Sequence, residues 1–189
     1  NGQELWKTDG TAAGTVLVKD IRPGSNSSSP LYLTNVNGVL YFMASDGTNG
    51  QELWKSDGTE AGTVMVKNIY AGSNGSSPQN LINVNGVLFF VANNGVNGYE
   101  LWKSDGTEAG TVMVKDIHVG NTGGSAQNIT NLNGVIYFLA NDGIHGSELW
   151  KSDGTEAGTV MVKDIWSGIA SSDISSLTVM DDVLVFTAN

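Results

Sequence analysis

The segment ELWKSDGTEAGTVMVK, residues 52–67, decides the fold because it returns along the whole chain. It recurs unchanged at residues 100–115 and 148–163, and as ELWKTDGTAAGTVLVK at residues 4–19. Successive copies start 48 residues apart in a chain of 189 residues. A fixed period of this size is the signature of a repeat architecture, in which each repeat is one supersecondary unit.

Each period contains four short apolar segments, which we name A, B, C and D in chain order. In the second copy they are residues 81–84, 87–92, 99–104 and 111–117. Asn85-Gly86 separates A from B and predicts a two-residue hairpin turn, because both central positions need a positive φ. Segments of about seven residues between glycines are too short for stable helices. The pattern therefore predicts four antiparallel β-strands per repeat.

Four strands in a repeat of this length are typical of a propeller blade. The prediction is an all-β fold, a β-propeller of four 48-residue blades in one domain, residues 1–189, with repeats 1–48, 49–96, 97–144 and 145–189. The N-terminal strands C and D are expected to pair with the C-terminal strands A and B, which brings residues 183–188 beside residues 4–8 and closes the ring. A homodimer, in which two chains complete each other as an eight-bladed ring, is the alternative to this monomer.

Composition excludes several classes of partner. Acidic residues outnumber basic ones by 19 to 9, for a net charge of −10, and the basic residues are spread over the repeats. Nucleic acid is therefore not expected as a partner, because phosphate binding needs a basic face. No cysteine is present to form a disulfide or a thiolate metal site. No apolar run approaches the ~20 residues of a membrane span, so membrane insertion is not expected.

The invariant residues of the repeat have structural interpretations. Its tryptophan recurs at Trp6, Trp54, Trp102 and Trp150. We predict that this side chain is buried between blades, rather than forming a ring of ligand platforms. The glutamate two residues earlier is expected to accept backbone hydrogen bonds or to pair with a lysine. The aspartate of the Asp-Gly pair is expected to cap a turn. The alternative is that these carboxylates bind calcium. Because no Asp-x-Asp-x-Asp ladder is present, no metal or other cofactor is predicted.

The signature ELWKTDGT at residues 4–11, and ELWKSDGT at residues 52–59, 100–107 and 148–155, resembles the bacterial ELWxxDGT repeat family. The resemblance covers all four repeats. It implies a bacterial protein with propeller-like repeats, secreted or attached to the cell surface, and it implies no catalytic residues. The Asp-Gly-Thr turn also resembles the Asp-box turns of sialidase propellers, but their spacing and trailing aromatic residue are absent here.

Differences between the four copies gather in two loops. The position after strand D reads Arg22, Tyr70, His118 and Trp166, and the loop before strand C brings Tyr99 and His145. In a meander blade these two loops emerge on the same face. Tyrosine, tryptophan and arginine are favoured at binding hot spots, so we predict that these six residues bind a ligand. Neutral drift in the loops is the alternative.

Catalysis is not predicted. A catalytic site needs unlike groups with divided roles, whereas almost every polar residue here is copied from repeat to repeat. We therefore expect a non-catalytic recognition, adhesion or protein-interaction module at the cell surface, with a carbohydrate or a protein as its ligand. The alternatives are a purely structural repeat scaffold and, last, an Asp-box-type hydrolase.

Overall fold

The computed structural model of the protein describes residues 2–189. Its regular structure is all β, and this range contains no helix that could cross a membrane. The strands are β1 (Leu5–Lys7), β2 (Val16–Lys19), β3 (Leu31–Val36), β4 (Val39–Ser45), β5 (Gln51–Ser56), β6 (Val64–Lys67), β7 (Gln79–Val84), β8 (Val87–Asn93), β9 (Tyr99–Ser104), β10 (Val112–Lys115), β11 (Gln127–Leu132), β12 (Val135–Asn141), β13 (Ser147–Ser152), β14 (Val160–Lys163), β15 (Ser175–Met180) and β16 (Val183–Thr187).

The strands form three four-stranded antiparallel sheets, β3–β6, β7–β10 and β11–β14, with the strands of each sheet in chain order. The prediction of four strands per repeat is confirmed in these sheets. Strand C of the second copy has the predicted bounds, 99–104. Strand A begins earlier, at Gln79, because the register shifts between Gln79 and Ile82 and lets the pairing with strand B continue past the irregularity. Strand D is shorter than predicted, Val112–Lys115.

The turn between strands A and B has the predicted chemistry. Asn85 and Gly86 have φ values of 52° and 86°, and the N–H of Gly86 donates to Oδ1 of Asn83 at 2.9 Å. Asparagine and glycine adopt this left-handed conformation at little cost. The prediction of a two-residue hairpin is therefore confirmed.

Neighbouring sheets pack against each other through cores made of two sheets. In one core, Trp102 and Phe90 of sheet β7–β10 meet Tyr41 and Leu53 of sheet β3–β6. Strands A of adjacent sheets also lie side by side: β3 contacts β7, β7 contacts β11, and β11 contacts β15. The predicted burial of the repeat tryptophan between sheets is confirmed at Trp54, Trp102 and Trp150, which are 6–7% exposed. It is wrong for Trp6, which is 57% exposed because no preceding sheet covers it.

The predicted ring closure within one chain is wrong for the residues described. Strands β1 and β2 form one two-stranded sheet, β15 and β16 form another, and no pairing joins residues 183–188 to residues 4–8. Closure depends on the rotation between neighbouring sheets, and in this chain β16 is not paired with β1. Residues 2–189 therefore form an open array of sheets, with a half-sheet at each end.

Candidate functional site

The loops before strands C and the connections after strands D lie together on one face, which we call the variable-loop face. It comprises loops 46–50, 94–98 and 142–146 and connections 20–30, 68–78, 116–126 and 164–174. A Cβ added to Gly47 would lie 2.7 Å from Nε of Arg22, and one added to Gly143 would lie 2.7 Å from Nε2 of His118. A Cβ added to Gly95, the equivalent glycine of the next loop, would lie similarly close to the ring of Tyr70. These glycines also have positive φ values of 82–84°, so both the backbone conformation and the neighbouring side chain favour glycine.

A buried glutamate ties each strand C to the connection that follows strand D. The carboxylate of Glu52 accepts backbone N–H bonds from Ile69 at 3.0 Å, Tyr70 at 3.1 Å and Ser76 at 3.0 Å, and the hydroxyl of Ser76 donates to it at 2.5 Å. Burial nevertheless raises the pKa of Glu52, against the effect of these bonds. Glu4 and Glu148 receive the same hydroxyl bond, from Ser28 and Ser172. The predicted role as an acceptor of backbone hydrogen bonds is confirmed.

The third copy departs from this pattern because Gly124 replaces the serine. Oε1 of Glu100 accepts N–H bonds from Gly124 at 2.5 Å and His118 at 3.3 Å, but Oε2 is buried without a hydrogen-bond partner. Burial, opposed by the backbone N–H groups of Gly124, His118 and Ile117, raises the pKa of Glu100 to about 7. A buried charge without full compensation is costly. This carboxyl group therefore changes its charge near neutral pH.

The loops before strands C are held by a capping side chain. Oδ1 of Asp142 accepts two backbone N–H bonds of 2.9 Å, and Oδ2 lies 2.7 Å from Nδ1 of His145. The hydrogen bond with Asp142 raises the pKa of His145. In the second repeat, Asn49 has this position and bonds to both Asp46 and Asn68, at 2.7 and 2.9 Å. The asparagine of the second repeat is therefore replaced by a titratable histidine in the fourth.

A cavity of about 420 Å³ opens beside Tyr99. Four residues with side-chain amides line it: Gln79 and Asn80 at the start of β7, and Gln127 and Asn128 at the start of β11. Each amide can donate and accept hydrogen bonds. The cavity therefore combines dense hydrogen-bonding capacity with one aromatic ring.

These four residues were not predicted as site residues, although the repeats differ from one another at these positions. Residues 79–80 and 127–128 are both Gln-Asn, whereas the equivalent pairs are Leu31-Tyr32 and Ser175-Ser176. The asparagines have φ values of 55° and 53° and lie at the register shift of strand A. Such a bulge re-aims a side chain. Because it interrupts the alternation of strand A, the sequence pattern alone did not indicate that both residues of the pair line one cavity.

Of the six predicted site residues, the structure brings Tyr99 and His118 to the same segment, which contains Ser125. The N–H of Ser125 donates to the carbonyl of Tyr99 at 3.0 Å, and Ser125 also lines a cavity of about 250 Å³ beside His118. Arg22 lies in the first repeat, where Nη1 donates to the carbonyl of Ser27 at 3.4 Å. Tyr70 and His145 lie on their own repeats, and Trp166, in the last connection, is 50% exposed. The cavity beside Tyr99 and the cavity beside His118 contain none of the other four.

The Asp-Gly-Thr turns are closed by their own side chains. Oδ1 of Asp57 accepts from the N–H of Thr59 at 2.8 Å and from its hydroxyl at 2.7 Å. The hydroxyl bond, more than the backbone bond, lowers the pKa of Asp57. The described part of the chain contains no group of three or more histidine, aspartate or glutamate side chains arranged to hold a metal ion.

No protein-family model matches the chain, and no curated protein matches it. Among solved structures, it is similar to a serine-to-alanine mutant of puromycin hydrolase complexed with PGG, with 16% identity, a TM-score of 0.54, and coverage of 89% of this chain and 26% of that chain. It is also similar to the computationally designed Ika8 protein, with 14% identity, a TM-score of 0.49, and coverage of 92% of this chain and 46% of that chain. The chain thus spans from about a quarter to about half the length of these proteins. At such identities, the likeness to the hydrolase indicates a shared fold alone.

Proposed function

We propose that the chain is a non-catalytic recognition module that binds a carbohydrate through the variable-loop face and the cavity beside Tyr99. The observation that carries this proposal is the grouping of four amide-bearing residues and one tyrosine around a single cavity. A protein segment is the second class of ligand that these groups can accept.

The chemistry of the cavity suits a sugar. A sugar hydroxyl donates and accepts hydrogen bonds, and a carboxamide offers both functions in one plane. A tyrosine ring supplies apolar area next to a polar tip. Ligand sites typically combine a concave shape with a small number of placed polar groups, which is the combination found around Gln79 and Asn128.

The proposal treats each four-stranded sheet as a propeller blade. Its support is the adjacency of strands A in neighbouring sheets and the recurrence of similar inter-sheet cores. A rigid stack of this kind holds loops in fixed positions, as recognition requires. The bacterial cell surface or the extracellular space is the proposed location, because of the resemblance of the repeats to the ELWxxDGT family.

The non-catalytic part of the proposal rests on the state of the acidic groups. Glu52 and its equivalents are buried and bonded to the backbone, and Asp57 is bonded within its own turn. These carboxyl groups serve the fold. A general acid or base must instead reach the substrate.

A glycan array followed by calorimetry tests the proposal. Tyr99→Gln introduces the residue found at the equivalent position 51, so the fold should tolerate it, and we expect binding to weaken by about tenfold or more. Gln51→Ser, which introduces the residue found at position 147, is the matched control and should bind as the unmodified protein does. A protein that binds no glycan, or that loses no affinity with Tyr99→Gln, contradicts the proposal.

A further inference from the structure

Three inter-sheet cores contain a tryptophan and the fourth does not. Trp54, Trp102 and Trp150 each pack between their own sheet and the preceding one. The fourth core, between sheet β11–β14 and the half-sheet β15–β16, contains Phe186 but no tryptophan from the described residues. Trp6, the remaining copy, is 57% exposed. An incomplete core thus lies at one end of the array and an exposed tryptophan at the other.

The hydrogen bonds of the lysines in strands C show the same mismatch between the two ends of the array. Each donates to the carbonyl of the turn glycine in the next sheet, at 2.8–2.9 Å: Lys7 to Gly58, Lys55 to Gly106, and Lys103 to Gly154. Within residues 2–189, Lys151 makes no such bond, and no lysine reaches the carbonyl of Gly10, the equivalent turn glycine of the first repeat. One end of the array therefore lacks an acceptor and the other lacks a donor.

The lysines of strands D behave in the same way. Lys19, Lys67 and Lys115 donate at 2.8 Å to the carbonyls of Thr63, Thr111 and Thr159 in the next sheet. Lys163 is exposed and has no equivalent partner in the part of the chain that the structure describes. The equivalent carbonyl of the first repeat belongs to Thr15. The two unpaired lysines thus match two free carbonyls of a single turn.

The edge strands complete the pattern. Strands B and C pair in one register in all three full sheets, with Phe42 opposite Trp54 and Phe138 opposite Trp150. Strand β16 is a strand B without a strand C, and β1 is a strand C without a strand B. The same register places Phe186 of β16 opposite Trp6 of β1.

We propose that β16 of one copy of this chain pairs with β1 of a second copy, so that Trp6 of the second copy completes the fourth core. Lys151 then donates to Gly10 of the second copy, and Lys163 to Thr15. Two such seams join two copies head to tail into a ring of eight four-stranded sheets: three complete sheets from each copy, and one at each seam.

A second copy fits as the partner because the strand and hydrogen-bonding groups missing at each end of the array are present at the other end of this chain. Within residues 2–189 the two half-sheets remain separate, and we assign the completing strands to a second copy. The seam covers apolar side chains that are buried elsewhere in the array: Val162 is 45% exposed, whereas Val66 and Val114 are 6% exposed. It also removes two strand edges, which otherwise promote aggregation. This inference is independent of ligand binding.

Light scattering with size-exclusion chromatography tests the inference. We expect a mass of twice the 19.8 kDa of one chain. Because Trp6 is exposed in a single copy, Trp6→Ala should retain the β circular dichroism spectrum and raise the dissociation constant at least about thirtyfold. Val119→Ala, at a residue 84% exposed and outside both edge strands, is the control and should remain dimeric. A protein with the mass of one chain, or a dimer insensitive to Trp6→Ala, overturns the inference.

A disulfide identifies the partner strand, because the chain has no cysteine of its own. The proposed register places Val185 opposite Lys7, so Lys7→Cys with Val185→Cys should give a covalent dimer on a non-reducing gel. Lys7→Cys with Val183→Cys is out of register by two residues and should not link, because such diagonal positions are about 7 Å apart or more. A cross-link within one chain, or a ladder of larger oligomers, overturns the two-copy ring.

Discussion

Replacing Glu100 with glutamine should remove a loss of stability that the protein suffers as pH rises. The carboxyl has an ordinary pKa of 4.5 and a folded-state pKa of about 7. Because the folded value is the higher, the native state binds the proton more tightly than the unfolded chain does. The stability that this proton contributes is complete below pH 4.5 and is lost as pH rises towards 7.

The magnitude follows from the same two values. A rise from 4.5 to about 7 corresponds to roughly 3 kcal/mol, at about 1.4 kcal/mol per pH unit. Glutamine can take over the geometry, because the hydrogen bonds from Gly124 and His118 both reach Oε1, whereas Oε2 has no hydrogen-bond partner. The amide oxygen can occupy the first position and the amide nitrogen the second. We therefore expect Glu100→Gln to equal the unmodified protein at pH 5 and to exceed it by roughly 2–3 kcal/mol at pH 8.

Urea unfolding followed by tryptophan fluorescence measures this difference at pH 5, 6, 7 and 8 and one protein concentration. The matched control is Glu52→Gln. Both oxygens of Glu52 face donors, from Ile69 and from Ser76 among others, so its amide nitrogen would meet a donor and the variant should be less stable at every pH. Parallel stability curves for Glu100→Gln and the unmodified protein would refute the reasoning.

Three further predictions concern single side chains. Tyr32 has a φ of 57°, which costs a residue of this kind about 1 kcal/mol; Tyr32→Asn, as at position 80, should raise the free energy of unfolding by about that amount, and no gain would show that the strain is absent. Ser76→Gly copies the third repeat and should raise the pKa of Glu52 further, so urea unfolding should show a larger loss of stability at pH 8 than at pH 5; an equal loss at both would contradict this. Thr59→Val removes the hydroxyl that bonds to Asp57 and should raise the pKa of that carboxyl in an NMR titration, where an unchanged value would count against the cause assigned here.

Local chemistry made most of the strands predictable. The Asn85-Gly86 turn and strand C at residues 99–104 follow from residues close in sequence, and the structure has both. The alternation of leucine and tryptophan in strand C correctly predicted a buried Trp54 and Trp102. Such features depend on residues that are neighbours in the chain or in one hairpin, which a repeat displays several times over.

The closure of the array was not predictable in the same way. The angle between adjacent sheets depends on how side chains such as Tyr41 and Trp102 fill the space between them. A small change in that angle is multiplied along the array. The repeat sequence indicates which strands belong together, but not whether β16 and β1 meet within one chain. The predicted pairing within a chain failed for this reason.

The candidate site was only partly visible in the sequence. Divergence between the copies pointed to Tyr99 and His118, which flank one segment of the variable-loop face. Gln79 and Asn128 were not predicted as site residues because a bulge in strand A interrupts the alternation of its side chains. Burial is the main cause of the high pKa of Glu100, and the sequence does not display that burial. The serine hydroxyl that lowers the pKa of Glu52 is absent at Gly124.

The most direct test of the account is a crystal structure of the 189-residue protein at a resolution that defines side chains. The account predicts Phe186 of one copy opposite Trp6 of a second copy in a four-stranded sheet, with Nζ of Lys151 about 2.8 Å from the carbonyl of Gly10, as in the internal bridges. A structure in which β1 remains an unpaired edge with Trp6 in solvent, or in which β1 pairs with β16 of its own chain, would contradict it.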